Sequence, residues 1–295
     1  MTNFLLIGPL TKDLIIEDNH ERSSVGGAVF YQSFIFNSFN QDYTILTSLG
    51  EDDEDLLYEY PDKSKIKAIF YKESLTFKNN YYDNNPNHRR QSSNFVNNPI
   101  LKKDIKNVLV DKFDSFILNP LISTDIPLKT IEYLNSFNIP IHLSLQGYLR
   151  NNINGNVELF NIDNLEDILS NITTVFLDNN EAKILFKDDL TYKDILYELS
   201  SYGPNEVIIT CGDNGSIIFS KNLNKYFKIP AYIPKLIKNP TGAGDTYMAS
   251  YLIKRSLTSN IEECGKFAAM ASSVKISQLN HFNKNIKYVE NKLEI

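Results

Sequence analysis

Short apolar runs recur along the chain, each bounded by polar or turn-forming residues. Residues 4–10 are apolar up to Gly8-Pro9, which predicts a buried strand opening into a loop, with Asp13 at its mouth. Residues 28–36 are apolar densely enough for a helix buried over much of its surface, entered through Gly26-Gly27. Residues 43–49 and 66–71 predict strands, with a short acidic helix over 52–59 between them.

Residues 74–98 change character. Leu75-Thr76-Phe77 and Tyr81-Tyr82 stand among Asn, Asp, His88, Arg89 and Arg90, which predicts a polar hairpin turning at Asn84-Asn85-Pro86. Alternation then resumes, with strands over 115–118, 140–145, 173–177 and 206–211 and helical stretches between them. Strands alternating with helices predict a mostly parallel sheet covered on both faces. Residues 216–220 and 225–229 predict an antiparallel pair, followed by helices over 243–255 and 261–277. The chain shows no internal repeat.

Length and charge narrow the function. At 295 residues the chain can bury a large core, and residues 1–295 are read as one domain with an inserted subregion. A net charge of −6 argues against nucleic acid or an anionic membrane as partner. Cys211 and Cys264 have no paired spacing, which suggests neither a disulfide framework nor a zinc site. Residues 1–13 have no basic leader, and no apolar run approaches the roughly 20 residues of a membrane span. A soluble, cytoplasmic protein is expected. Asn, Lys, Ile and Tyr are abundant throughout, so an isolated Asn carries little information. His20, His88, His142 and His281 lack metal-ligand spacing and are assigned no chemistry.

The candidate chemistry lies in Asn239-Pro240-Thr241-Gly242-Ala243-Gly244-Asp245, immediately before a predicted helix. Unpaired N–H groups and the positive end of the peptide dipoles make a helix start receptive to anions, and small residues let a phosphate approach the backbone. Asp245 would then stand beside the phosphoryl group, where a carboxylate can take the proton of an attacking hydroxyl. A tight turn with a dipole-complementing Asp is the other account of the same residues. Neither the G-x-x-x-x-G-K-[ST] fingerprint nor a dinucleotide G-x-G-x-x-G is present.

Four separated segments, in order, resemble the ribokinase-like or PfkB family of carbohydrate and nucleoside kinases. Residues 239–245 are similar to its C-terminal signature, which implies that Gly242, Ala243 and Gly244 form an anion hole and Asp245 is the catalytic base. Thr210-Cys211-Gly212-Asp213-Asn214-Gly215 is similar to a nucleotide-contacting T-x-G-x-x-G stretch, implying nucleotide contacts at Thr210, Gly212, Gly215 and Thr241; a hairpin turn is the alternative. Asp178-Asn179-Asn180-Glu181 resembles an N-x-x-E motif whose Glu organises magnesium through water, with Asp178 replacing Asn or serving only as a helix cap. Gly26-Gly27 resembles a substrate-side di-glycine, with Asp13 placed to bind hydroxyls, and Gly50-Glu51-Asp52 is similar to the G-x-D that follows. The fold implied is α/β, a three-layer, doubly wound, mostly parallel sheet, with a small β-sheet lid from parts of 12–25 and 73–97.

The departures bear on the substrate. Tyr31 stands where ribokinases carry a ribose-contacting Asn, and Asn239 replaces an acidic residue beside a monovalent-cation site, which leaves potassium dependence open. Ser144-Leu145-Gln146-Gly147-Tyr148-Leu149-Arg150 resembles a Q-G-x-L-R segment of archaeal and inositol-kinase-like members. Gln146 and Arg150 then become substrate-side candidates, as does Arg90 in the lid; surface pairing or solvation is the alternative for both arginines. The expectation is an ATP- and magnesium-dependent kinase acting on a small sugar or cyclitol, myo-inositol first, with a nucleoside kinase and a non-catalytic sensor as alternatives. An exposed lid edge gives a homodimer as a further expectation.

Overall fold

A computed structural model describes residues 2–17, 20–81, 89–108, 112–186 and 190–293. In chain order the strands are β1 (Asn3–Ile7), β2 (Thr11–Glu17), β3 (His20–Gly26), β4 (Asp42–Gly50), β5 (Ile66–Tyr71), β6 (Leu75–Tyr81), β7 (Arg89–Ser93), β8 (Ser115–Leu118), β9 (Ile141–Ser144), β10 (Arg150–Ile153), β11 (Asn156–Leu159), β12 (Thr174–Asp178), β13 (Glu206–Thr210), β14 (Ser216–Ser220) and β15 (Lys225–Ile229). The helices are α1 (Ala28–Ser38), α2 (Lys102–Lys106), α3 (Leu128–Asn135), α4 (Gln146–Leu149), α5 (Leu165–Leu169), α6 (Asn179–Leu185), α7 (Tyr192–Ser201), α8 (Ala243–Leu257), α9 (Ile261–Ile276) and α10 (Ile286–Leu293). The acidic segment Glu51–Glu59 is a 3₁₀ helix.

Nine strands form the main sheet in the order β15-β14-β13-β12-β9-β8-β1-β4-β5. Every neighbouring pair is parallel except β13 with β14 and β14 with β15. The central strands β1 and β8 are apolar on both faces because both are covered. Phe4 and Leu6 pack with Phe36 of α1, Tyr251 of α8 and Phe267 of α9. Leu5 and Ile7 pack into the opposite core with Ile131 of α3 and Leu196 of α7. These are the three layers expected. The chain builds from β1 to one side through β4 and β5, then to the other through β8, β9, β12 and β13, and such a reversal opens a crevice at the carboxyl ends of the strands.

A second sheet has the order β10-β11-β7-β6-β2-β3, with β2 and β6 parallel and its other pairs antiparallel. The hairpin β10–β11 lies outside the segments expected for the lid. It turns at Asn154-Gly155, both at positive φ (52° and 85°), as a two-residue hairpin loop requires. Discounting isolated asparagines concealed that signal. The expected turn at Asn84-Asn85-Pro86 falls outside the described residues. No helix among the described residues is long and apolar enough to cross a membrane.

Helix α8 is bolted to the main sheet by one buried carboxylate. Glu206, at the start of β13, accepts from the Tyr251 hydroxyl (2.7 Å) and from Nε and Nη2 of Arg255 (3.0 and 2.9 Å). Glu206→Ala is expected to cost about 2–3 kcal/mol by stranding both donors, read by urea denaturation; an unchanged denaturation midpoint would show that α8 is held by its apolar face alone.

Candidate active site

Gly242 caps α8 in the left-handed region (φ 78°, ψ 11°), where a Cβ would also stand 2.7 Å from the ring of Tyr31. The residues before it fix the turn. Asn239 accepts at Oδ1 from the Thr241 N–H (3.0 Å) and donates through Nδ2 to the Leu279 carbonyl (3.3 Å), the second of which an aspartate carboxylate has no proton to make. The N–H groups of Lys238 and Asn239 donate to the Ile276 carbonyl at the end of α9, and Ser272 Oγ donates to the Ala243 carbonyl. The turn is thereby held against α9, with the first N–H groups of α8 free of intrahelical partners.

This turn borders a cavity of about 640 Å³, a size suited to small ligands. Carboxyl ends of main-sheet strands form one wall and the second sheet another. Asp13, Gly27, Gln146, Arg150, Asp178, Glu181, Thr210, Thr241, Gly242, Ala243, Gly244 and Asp245 all line it. Their origins are spread across the chain. Gly27 enters α1 at φ 104°, where a Cβ would meet the Pro9 carbonyl at 2.5 Å. Gly26 stays behind the wall, and its missing side chain leaves room for Asp13, whose Oδ1 accepts from Thr11 Oγ1 (2.8 Å).

Gly212 and Gly215 lie beyond Thr210 in the turn to β14 and do not line the cavity. Arg90 is exposed and lies outside the lining, whereas its neighbour Gln91 is in it, because successive strand residues face opposite sides. Gln91 Nε2 donates to Asn79 Oδ1 (2.9 Å), so the second sheet presents paired amides to the cavity.

Arg150 is the central cation. Its Nη2 donates to Gln146 Oε1 (2.8 Å) and its guanidinium lies 5.4 Å from the centre of the Phe77 ring. Burial pushes the Asp245 carboxyl up to about 6, against the opposing pull of Arg150 and Lys275. Glu181 is held by a capping box: its Oε2 accepts from the Asp178 N–H (2.8 Å), while Asp178 Oδ1 accepts from the N–H groups of Asn180 and Glu181 (2.7 and 2.8 Å). Burial, followed by the charge of Asp178, pushes Glu181 up to about 8. A divalent cation there would favour the ionised form, and hard carboxylate oxygens suit magnesium. Among the described residues no three His, Cys, Asp or Glu side chains converge as a metal site. An ion held by this pair would have to complete its shell from water and ligand oxygens.

Sequence reasoning missed several groups. Asn79 and Gln91 follow from strand alternation once the lid strands are in register. His281, given no chemistry above, lines the cavity and stacks on Phe34 at 4.1 Å. Lys275 is 2% exposed, and its position extends the buried stripe Cys264, Ala268 and Ala271 along α9, a helical spacing visible in the sequence.

A family model described as "pfkB family carbohydrate kinase" matches residues 6–285. A nucleoside kinase from Methanothermobacter thermautotrophicus is 37% identical over 78 residues, which are 26% of this chain and only 24% of that curated relative. A pyrophosphate-dependent kinase in the ribokinase family, complexed with a pyrophosphate analogue and myo-inositol, superposes with TM-score 0.81 at 20% identity, covering 99% of this chain and 100% of the other. Ribokinase from Arabidopsis thaliana, complexed with ribose and ATP, gives 0.79 at 16% identity with full coverage of both chains. At such identities the likeness establishes the ribokinase-like fold.

The turn itself supplies a test. Gly242→Ala is expected to cost about 1–2 kcal/mol from the left-handed backbone alone, with a further loss from the Tyr31 contact that Gly242→Ala in a Tyr31→Ala background recovers. Urea denaturation of the three variants separates the parts; equal costs in both backgrounds would remove Tyr31 from the constraint.

Proposed function

The chain belongs to the pfkB family of carbohydrate kinases, and on that footing we propose that it transfers the terminal phosphoryl group of ATP to a hydroxyl of a small sugar or cyclitol, myo-inositol first. One observation carries the reading: Asp245 and the glycine turn share a single cavity with a wall dense in hydroxyl-binding groups, among them Asp13, Asn79, Gln91, Gln146 and Arg150.

In this reaction Asp245 accepts the proton of the acceptor hydroxyl as its oxygen bonds to phosphorus, and the bond from phosphorus to the departing ADP oxygen breaks. With a pKa near 6 the carboxylate is ionised at neutral pH yet basic enough to take a proton. The N–H groups at Gly242 and Gly244 meet the charge that spreads over the transferred oxygens, with the Ala243 N–H, which donates to the Pro240 carbonyl (3.2 Å), sharing in it. Arg150 and Gln146 orient the acceptor, and the second sheet excludes water that would compete as acceptor. Magnesium, when bound, would neutralise donor phosphate charge, with Glu181 and Asp178 the residues to hold it through water.

A nucleoside kinase is the second reading, favoured by the partial match to the archaeal nucleoside kinase. ADP release with myo-inositol, hexoses, inosine, adenosine and cytidine separates the two, and pyrophosphate in place of ATP checks the donor. Binding without turnover throughout the panel would favour a sensor.

Asp245→Asn is expected to keep ATP affinity in calorimetry while lowering turnover roughly 10²- to 10⁴-fold; undiminished turnover would exclude Asp245 as the base. Because the base must be ionised and its pKa is raised to about 6, kcat/KM should rise with pH through about 6 and level above it. A profile already flat down to pH 4.5 would contradict that assignment.

A further inference from the structure

Lys275 is an unusual residue to find inside a protein, since lysine is almost never fully buried without a reason. It occupies the penultimate position of α9, is 2% exposed, and donates from Nζ to the main-chain carbonyl of Asn239 (3.4 Å), the first residue of the phosphate-binding turn. Burial lowers its pKa to about 8 while Asp245 pulls it back up, so the group is a cation at neutral pH. His281 is the other titratable group that feels its charge. The segment it supports is the one tied to α9 through the Ile276 carbonyl and Ser272 Oγ.

An ammonium bonded to the carbonyl at the start of this turn adds a fixed positive charge beside the anion site, where the surrounding protein screens it weakly. Desolvating that charge is costly. A packing role alone would be met more cheaply by methionine, which fills a similar volume without charge.

We propose that Lys275 is a positioning residue that serves as a tethered monovalent cation for the anion turn, so that phosphoryl transfer needs no dissolved potassium or ammonium. This rests on reading the turn as the phosphate site of a kinase. The neutral Asn239 side chain is consistent with it, since the turn there needs no second anion to hold a free cation.

The test compares Lys275→Met, which fills the space without charge, with Lys275→Ala, which empties it. Turnover is read with ATP and the member of the acceptor panel above that releases ADP fastest, and affinity for ATP by calorimetry as an acceptor-independent readout. Wild type should turn over within about twofold in choline, sodium or potassium buffers. Lys275→Met should lose about tenfold or more in turnover or ATP affinity and stay insensitive to added ions. Lys275→Ala should fall similarly and recover in part with ammonium or potassium. Full activity of Lys275→Met, or an Ala variant that no cation rescues, would overturn the proposal. So would strong potassium activation of the wild type, which decides the matter even if both variants fail to fold. Asp245→Asn is the control: if it is inactive while Lys275→Met is not, this inference alone fails, whereas an active Asp245→Asn refutes the site reading beneath both.

Discussion

A carboxylate base must work within reach of a phosphate, and two anions placed together in a water-poor cavity repel. On the proposed function, the site has to meet that constraint. Gly242, left-handed and pressed against Tyr31, turns the chain so that the first turn of α8, whose Ala243 N–H donates to the Pro240 carbonyl (3.2 Å), starts beside Asp245. Two cations flank the carboxylate: Arg150 in the cavity, and Lys275 behind the turn, each opposing the rise in pKa that burial imposes. Pushed up only to about 6, the carboxyl is thus ionised at neutral pH, as the proposed base must be.

The rest of the fold holds these charges in place. Main-sheet strands end at the cavity, so Thr210 reaches it as the last residue of β13, while Gln146 and Glu181 follow β9 and β12 through short connections. Glu206 secures the length of α8 to the sheet, and α9 grips the turn through main-chain and Ser272 contacts. The capping box of α6 uses Asp178 to aim Glu181, so one residue serves both as helix cap and as cavity wall. The second sheet faces the cavity with polar side chains and is apolar chiefly where Leu75 and Phe77 pack on Leu121 and Ile122.

Main-sheet strands were legible as short apolar-rich runs bounded by polar residues: β8 and β14, largely buried, and the half-exposed edge strands β5 and β15 coincide with those runs residue for residue. The turn at Gly242 was legible for a related reason, since its small residues, Asp and following helix are contiguous. Groups gathered from distant segments were harder to see. Gln91 rather than Arg90 faces the cavity because of a register that only pairing with β6 sets. The hairpin β10–β11 hid in an asparagine-rich stretch whose Asn-Gly turn is a strong signal once composition is set aside. Lys275 sat in plain view on the buried stripe of α9, but what it faces depends on a chain crossing far away in sequence.

The central claim is that Asp245 faces the acceptor hydroxyl while the glycine turn holds the phosphoryl group. A crystal structure of the protein with a non-hydrolysable ATP analogue and myo-inositol tests this most directly. The account predicts one inositol hydroxyl within hydrogen-bond reach of the Asp245 carboxylate, about 2.6–3.2 Å, and the terminal phosphate on the N–H groups of Gly242, Ala243 and Gly244. A terminal phosphate seated elsewhere, or a polyol whose hydroxyls all turn away from Asp245, would contradict it.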